Sequence, residues 1–228
     1  MKIGFAEKTE YFMKETIEKI LEEKIIMIVR GMPTDKIIPL AEAMWRAGIR
    51  VMECTYDASG KTSDEEIAAV IGSLVKHFDG RMLVGAGTVL NKKQVALTKA
   101  AGGKFIISPD VNAEVIEETK RLGLVSIPGA LTPSEATLAN RTGADFVKLF
   151  PVSQMTPAYV KALCAPLSHI RFLSVGGVNA DNLAEYVRAG TRGVGLSLNA
   201  KDKEAVIAGD FDYIENKCKA LVDAASKA

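Results

Sequence analysis

Eight short apolar runs, each followed by a polar-faced stretch with its own start and stop signals, constrain this 228-residue chain more than any other feature. The runs fall at 25–29, 49–54, 81–87, 104–108, 124–128, 143–151, 170–175 and 193–196. Their length and β-branched content are those of buried strands. Between them lie helix signals. Phe12, Ile17, Ile20 and Leu21 stripe a helix over about 8–23. Thr34 or Asp35 can cap a second helix that runs to Arg46 and stops at Gly48. Ser63 with Glu66, Asn91 with Gln94, and Thr132-Pro133 with Glu135 read as capping boxes. Asn112, Thr156-Pro157, and Asn179 or Asp181 open further helices. The stretch from Lys201 onward is helical on pattern, in two pieces divided at Gly209.

Strands that alternate with helices and are apolar on both faces belong to a parallel sheet covered by helices. Eight such units in this length predict an α/β fold, a single (β/α)8 TIM barrel with an additional N-terminal helix. It fills residues 1–228 as one domain, with the barrel proper over about 24–226. An open, doubly wound sheet would need a glycine-rich turn after its first strand, and Arg30-Gly31-Met32-Pro33 is not that turn.

Composition removes several function classes. A formal net charge of +1 without a basic block gives no reason for a nucleic-acid or anionic-membrane partner. No apolar run approaches a membrane span, and the charged N-terminus is no secretory signal. Cys54, Cys164 and Cys218 are few, scattered and outside any CxxC pattern, as in a cytoplasmic protein with reduced thiols. Two histidines, His77 and His169, cannot build a multi-histidine centre, so no metal is expected.

In a closed parallel barrel the strand C-termini form the active face. Lys148 lies in the apolar run Phe146–Phe150, where lost hydration lowers its pKa and frees an amine for Schiff-base chemistry. A lysine that snorkels to water from a strand end fits the same pattern. Glu53, between Met52 and Cys54, needs a partner, which Lys148 or Arg30 can supply, and it can shuttle protons at an imine. Arg30 can hold a substrate carboxylate bidentately or pair with Glu53. Thr88 offers a hydroxyl to substrate or to the next helix start. Pro109, Pro128 and Phe150 would wall a pocket. Gly176 and Gly177, with the turn after the eighth strand, stand where barrels take phosphate.

The motifs VGAGTVLN from Val84, FIISPD from Phe105, IPGALTPSEA from Ile127, VKLFP from Val147 and VGGVNADNLAEYVRAG from Val175 carry a resemblance. Over about Lys19 to Ser226 the chain resembles the 2-keto-3-deoxy-6-phosphogluconate (KDPG) and 4-hydroxy-2-oxoglutarate (KHG) aldolases. These are class I aldolases on a (β/α)8 barrel, commonly homotrimers. The resemblance implies Lys148 as Schiff-base lysine and Glu53 as proton carrier. It places Arg30, Thr88 and Pro109 near the pyruvyl group and Gly176 and Gly177 at the phosphate. By position, Gly195 and Ser197 join the phosphate turn.

Three positions depart from the family pattern. Asp57 stands where some members carry a carboxylate-binding arginine, which leaves that task to Arg30 or to Lys61 in the loop before Ser63. Val175 replaces a threonine, and Ser197-Leu198 replaces a Gly-Ser step. The implied activity is cleavage of a 2-keto-3-deoxy acid to pyruvate and an aldehyde, with no cofactor. KDPG is first choice; its 4-epimer KDPGal, KHG and a non-phosphorylated acid follow. A phosphate-barrel isomerase, epimerase or decarboxylase and an inactive sugar-acid-binding barrel are the readings that compete.

Overall fold

The β1 strand, Ile25–Val29, is paired on both sides, and every pairing in the sheet is parallel. In the computed structural model, which describes residues 5–228, the strands β2 (Val51–Thr55), β3 (Leu83–Gly87), β4 (Phe105–Ile107) and β5 (Val125–Ile127) follow β1 to one side. To the other side lie β9 (Val194–Ser197), β8 (Phe172–Val175), β7 (Val147–Leu149) and β6 (Gly129–Ala130).

The two ends of this series are one stave. Only Pro128 separates β5 from β6, and proline has no N–H with which to continue the ladder. The Ser126 carbonyl accepts from Asp145 N–H at 3.0 Å and Phe146 N–H at 3.2 Å, and the Pro128 carbonyl from Lys148 N–H at 2.9 Å. The ring is thereby closed, as the expected barrel requires. The fifth strand runs two residues past the Pro128 end read from the sequence.

Alternate residues of each strand face inward. Ile26, Val51, Phe105, Val125, Phe146 and Leu173 fill the barrel's lower interior. The helix α1 (Phe5–Glu23) covers that end, with Ile20 buried and Met13, Ile17 and Leu21 packed against the same cluster. Outward residues, among them Met27, Met52, Val84 and Leu196, meet the surrounding helices through Leu40, Met44, Ile71 and Ile214. The apolar floor leaves the C-terminal ends of the strands for polar groups.

Ser63 and Thr132 form the expected capping boxes of α3 (Asp64–Phe78) and α6 (Pro133–Arg141). Gly209, in the left-handed region at φ 80°, divides α9 (Ala200–Ala208) from α10 (Phe211–Ser226) as predicted. Two helix starts and one capping box differ. A 3-10 turn at Thr34–Lys36 precedes the second helix, Ile37–Arg46, and neither Thr34 nor Asp35 caps it. Gln94 turns its side chain to Leu90 N–H and Asp64, so Asn91 caps its helix without a reciprocal bond. Asn179 receives the N–H groups of Asp181 and Asn182, a local turn that delays the next helix to Leu183–Arg188.

Candidate active site

Lys148 is the middle residue of β7. Val147 and Leu149 belong to the outer packing layer, which turns Lys148 into the barrel. Its side chain is 7% exposed, with Nζ 4.5 Å from the Phe150 ring centroid. Burial pushes its pKa below the ordinary lysine value; Glu53 pulls it back up, and Arg30 pushes it further down.

Glu53 sits at the matching place on β2, 1% exposed, with Met52 and Cys54 facing the helices. Burial raises its pKa, against the lowering pull of Lys148 and Arg30. Its Oε2 has no hydrogen-bond partner, so the pairing expected from the sequence acts across space rather than through that atom. The carboxyl is held by a missing side chain. A Cβ on Gly87 would fall 1.5 Å from Glu53 Oε1 and 2.1 Å from Cδ. Only glycine admits the carboxyl there, a requirement that reading each strand alone did not find.

Arg30 is exposed at the end of β1, and its Nη2 donates to Thr88 Oγ1 at 3.0 Å. Thr88 is at φ 54°, an outlying conformation for a β-branched residue. Since Asn91 caps the following helix, the Thr88 hydroxyl is left for the arginine. The Pro109 carbonyl lies against Gly129, 2.2 Å from where a Cβ would stand, so the loop after β4 closes on the fifth stave.

Gly176 and Gly177 both take positive φ, 87° and 91°. A Cβ on Gly176 would meet the Phe150 ring at 3.1 Å, and one on Gly177 would meet Ser153 at 2.4 Å. The Phe150 ring therefore spans from the lysine amine to the glycine pair. Gly195 makes room for Val175 and Ile28, and Ser197 is exposed at the end of β9. Asp57 accepts from Ser59 N–H, Ser59 hydroxyl and Thr62 N–H, bonds that hold its pKa down and fold its own loop. Lys61 is exposed on that loop, and a hydrogen bond from its backbone N–H also lowers the Asp57 pKa.

The arrangement offers a buried amine, a buried carboxyl in its field and an exposed guanidinium at the rim. That set can form an imine and move protons around it. Residues 16–217 match the sequence profile of the KDPG and KHG aldolase family. The chain belongs to that family. The 2-dehydro-3-deoxy-6-phosphogalactonate aldolase of Escherichia coli (strain K12) is 35% identical over 75% of this chain and 82% of its own. The 2-dehydro-3-deoxy-phosphogluconate aldolase of Treponema pallidum (strain Nichols) is 32% identical over 88% and 91%. A KDPG aldolase from Legionella pneumophila, solved with pyruvate captured as a covalent carbinolamine, superposes with a TM-score of 0.80 at 25% identity, covering 90% of this chain and 97% of that one.

As a class I member of the KDPG/KHG aldolase family, the protein cleaves a carbon–carbon bond through a lysine Schiff base and releases pyruvate, without a metal. Among the described residues there is no cluster of three metal-ligating side chains, and no helix is long and apolar enough to cross a membrane.

Proposed function

We propose that Lys148 forms the imine, that Glu53 carries the protons, and that the substrate is a 2-keto-3-deoxy-6-phosphohexonate. The observation that carries this is the pair itself: an inward lysine on β7 and an inward glutamate on β2, both buried and each in the other's field. The Lys148 amine attacks the C2 carbonyl to give a carbinolamine. Glu53 protonates the departing hydroxyl, and water leaves a protonated imine. Glu53, now a carboxylate, takes the proton of the C4 hydroxyl; the C3–C4 bond breaks and its electron pair moves into the imine. An aldehyde departs and an enamine remains. Protonation at C3 and hydrolysis then free pyruvate and the amine.

Arg30 and Thr88, already bonded to each other, would hold the pyruvyl carboxylate at the rim. Pro109 and Phe150 wall the imine. Gly176, Gly177, Gly195 and Ser197 would take the phosphate through backbone N–H groups and the serine hydroxyl. Lys61, exposed on the loop before Ser63, is the alternative cation for the pyruvyl carboxylate. The gluconate and galactonate epimers stand level, because relatives of both names match the chain at similar identity. The homotrimer implied by the resemblance belongs to the same proposal, with sedimentation at three times the chain mass as its check.

Borohydride trapping with pyruvate, followed by peptide mass spectrometry, tests the lysine. The adduct is expected on Lys148 and absent from Lys148→Ala; an adduct on another lysine in that variant sinks the assignment. Turnover of both C4 epimers, with and without the 6-phosphate, tests the substrate. Equal kcat/KM with and without phosphate would refute the phosphate cup.

A further inference from the structure

Among the described residues, two buried side-chain polar atoms lack a hydrogen-bond partner, and they lie on the same strand: Glu53 Oε2 and Thr55 Oγ1. Two residues apart on β2, they share its inward face, while Met52, Cys54 and Tyr56 pack outward against the helices. The Glu53 side chain also leaves its own level. Its carboxyl lies over Gly87, and Gly87 is the register neighbour of Thr55 on β3. The carboxyl has therefore risen one residue pair toward the barrel mouth, into the layer that Thr55 occupies. Thr55 is 4% exposed, so bulk solvent does not satisfy its hydroxyl. Arg30, the other donor at the rim, is bonded to Thr88.

We propose that Thr55 is a positioning residue for proton transfer: its hydroxyl and the Glu53 carboxyl hold one water between them, and that water delivers the proton to C3 of the enamine. The inference rests on the roles proposed for Lys148 and Glu53. A hydroxyl both donates and accepts and can rotate to suit either need, while a carboxyl is a donor when protonated and an acceptor when ionised. Such a pair can keep one water in place in both protonation states. In the cleavage direction the water gives a proton to C3 and takes one from the Glu53 carboxylic acid. One C–H bond forms, the carboxyl O–H bond breaks, and the water is regenerated. Thr55 stays protonated throughout.

Exchange of the pyruvate methyl protons in D2O, followed by NMR, isolates this step. Exchange requires both the imine and proton transfer at C3; reductive trapping requires only the imine. Thr55→Val removes the hydroxyl at nearly constant volume, and Thr55→Ser keeps it. In Thr55→Val, exchange is expected to fall about 10- to 100-fold, part of the usual acid–base contribution, with trapping within about twofold of the parent. Thr55→Ser should exchange within about threefold of the parent. Parent-like exchange in Thr55→Val overturns the proposal. Equal losses of exchange and trapping in both variants also overturn it, since Thr55 would then be a packing residue. Trapping on Lys148 without exchange in the parent protein would instead refute the role of Glu53 and, with it, this role for Thr55.

Discussion

The charge on Lys148 is set by burial and two neighbours, which act in different senses. Burial favours the neutral amine, the Glu53 carboxylate favours the ammonium, and the Arg30 guanidinium favours the amine again. Imine formation uses the neutral amine, so its rate should rise with pH around a midpoint below the ordinary lysine value. Removing the carboxylate in Glu53→Gln should move that midpoint lower still. Removing the cation in Arg30→Gln should move it higher. Cyanoborohydride trapping of pyruvate across pH checks both signs, and two shifts in the same direction would contradict the electrostatics. Lys148 and Glu53 stood out in the sequence as charges inside apolar runs, beside the reading of a snorkelling lysine or a plain ion pair, and the structure buries both. Thr55, at the end of an apolar run, carries no such signal. Its meaning depends on how far the Glu53 side chain reaches, and strand periodicity carries no such distance.

Among the elements, α9 shows how much of the helical shell is held by local bonds. Asn199 and Asp202 form a capping box at its start, and Asp202, fully buried, also accepts from Tyr213 and Lys217 of α10. One carboxylate thus fixes the start of one helix and its angle to the next. Asp202→Ala should lower stability by about 2–3 kcal/mol, the loss of several charge-assisted bonds at a buried site, read as a shift in denaturant midpoint. Trapping of pyruvate should survive, because the bonds of Asp202 go to Asn199, Tyr213 and Lys217 and not to Lys148 or Glu53. Strand and helix order was readable throughout, since each helix has its own punctuation. The starts misread at Thr34 and Asn179, and the reciprocal bond expected from Gln94 behind Asn91, share one cause. Short polar side chains can serve a turn, a preceding residue or a cap equally well, and tertiary packing chooses among them.

In the whole molecule, the barrel is divided across its axis: an apolar floor closed by α1 and a polar mouth above it. The floor is packed by size alternation. Phe105 projects over Gly85, where a Cβ would fall 2.5 Å from the ring. Gly85→Ala should therefore cost about 1–3 kcal/mol through overpacking, measured by thermal or denaturant unfolding, with the trapping midpoint unchanged. Barrel closure through the Pro128 break was not legible from local pattern. The fifth stave carries one partner on each side of a residue that cannot donate, and only the ring as a whole supplies both.

Gly87 ties two positions of the chain into one heritable unit. A lineage that acquires alanine there can keep its carboxyl only by drawing it back, as a change from glutamate to aspartate at position 53 would do. The order of such changes then matters: shortening first keeps a poorly placed acid, whereas filling the glycine first displaces the acid altogether. In the laboratory the same coupling should appear as Gly87→Ala losing methyl-proton exchange, and Gly87→Ala with Glu53→Asp losing less than the two single changes combined.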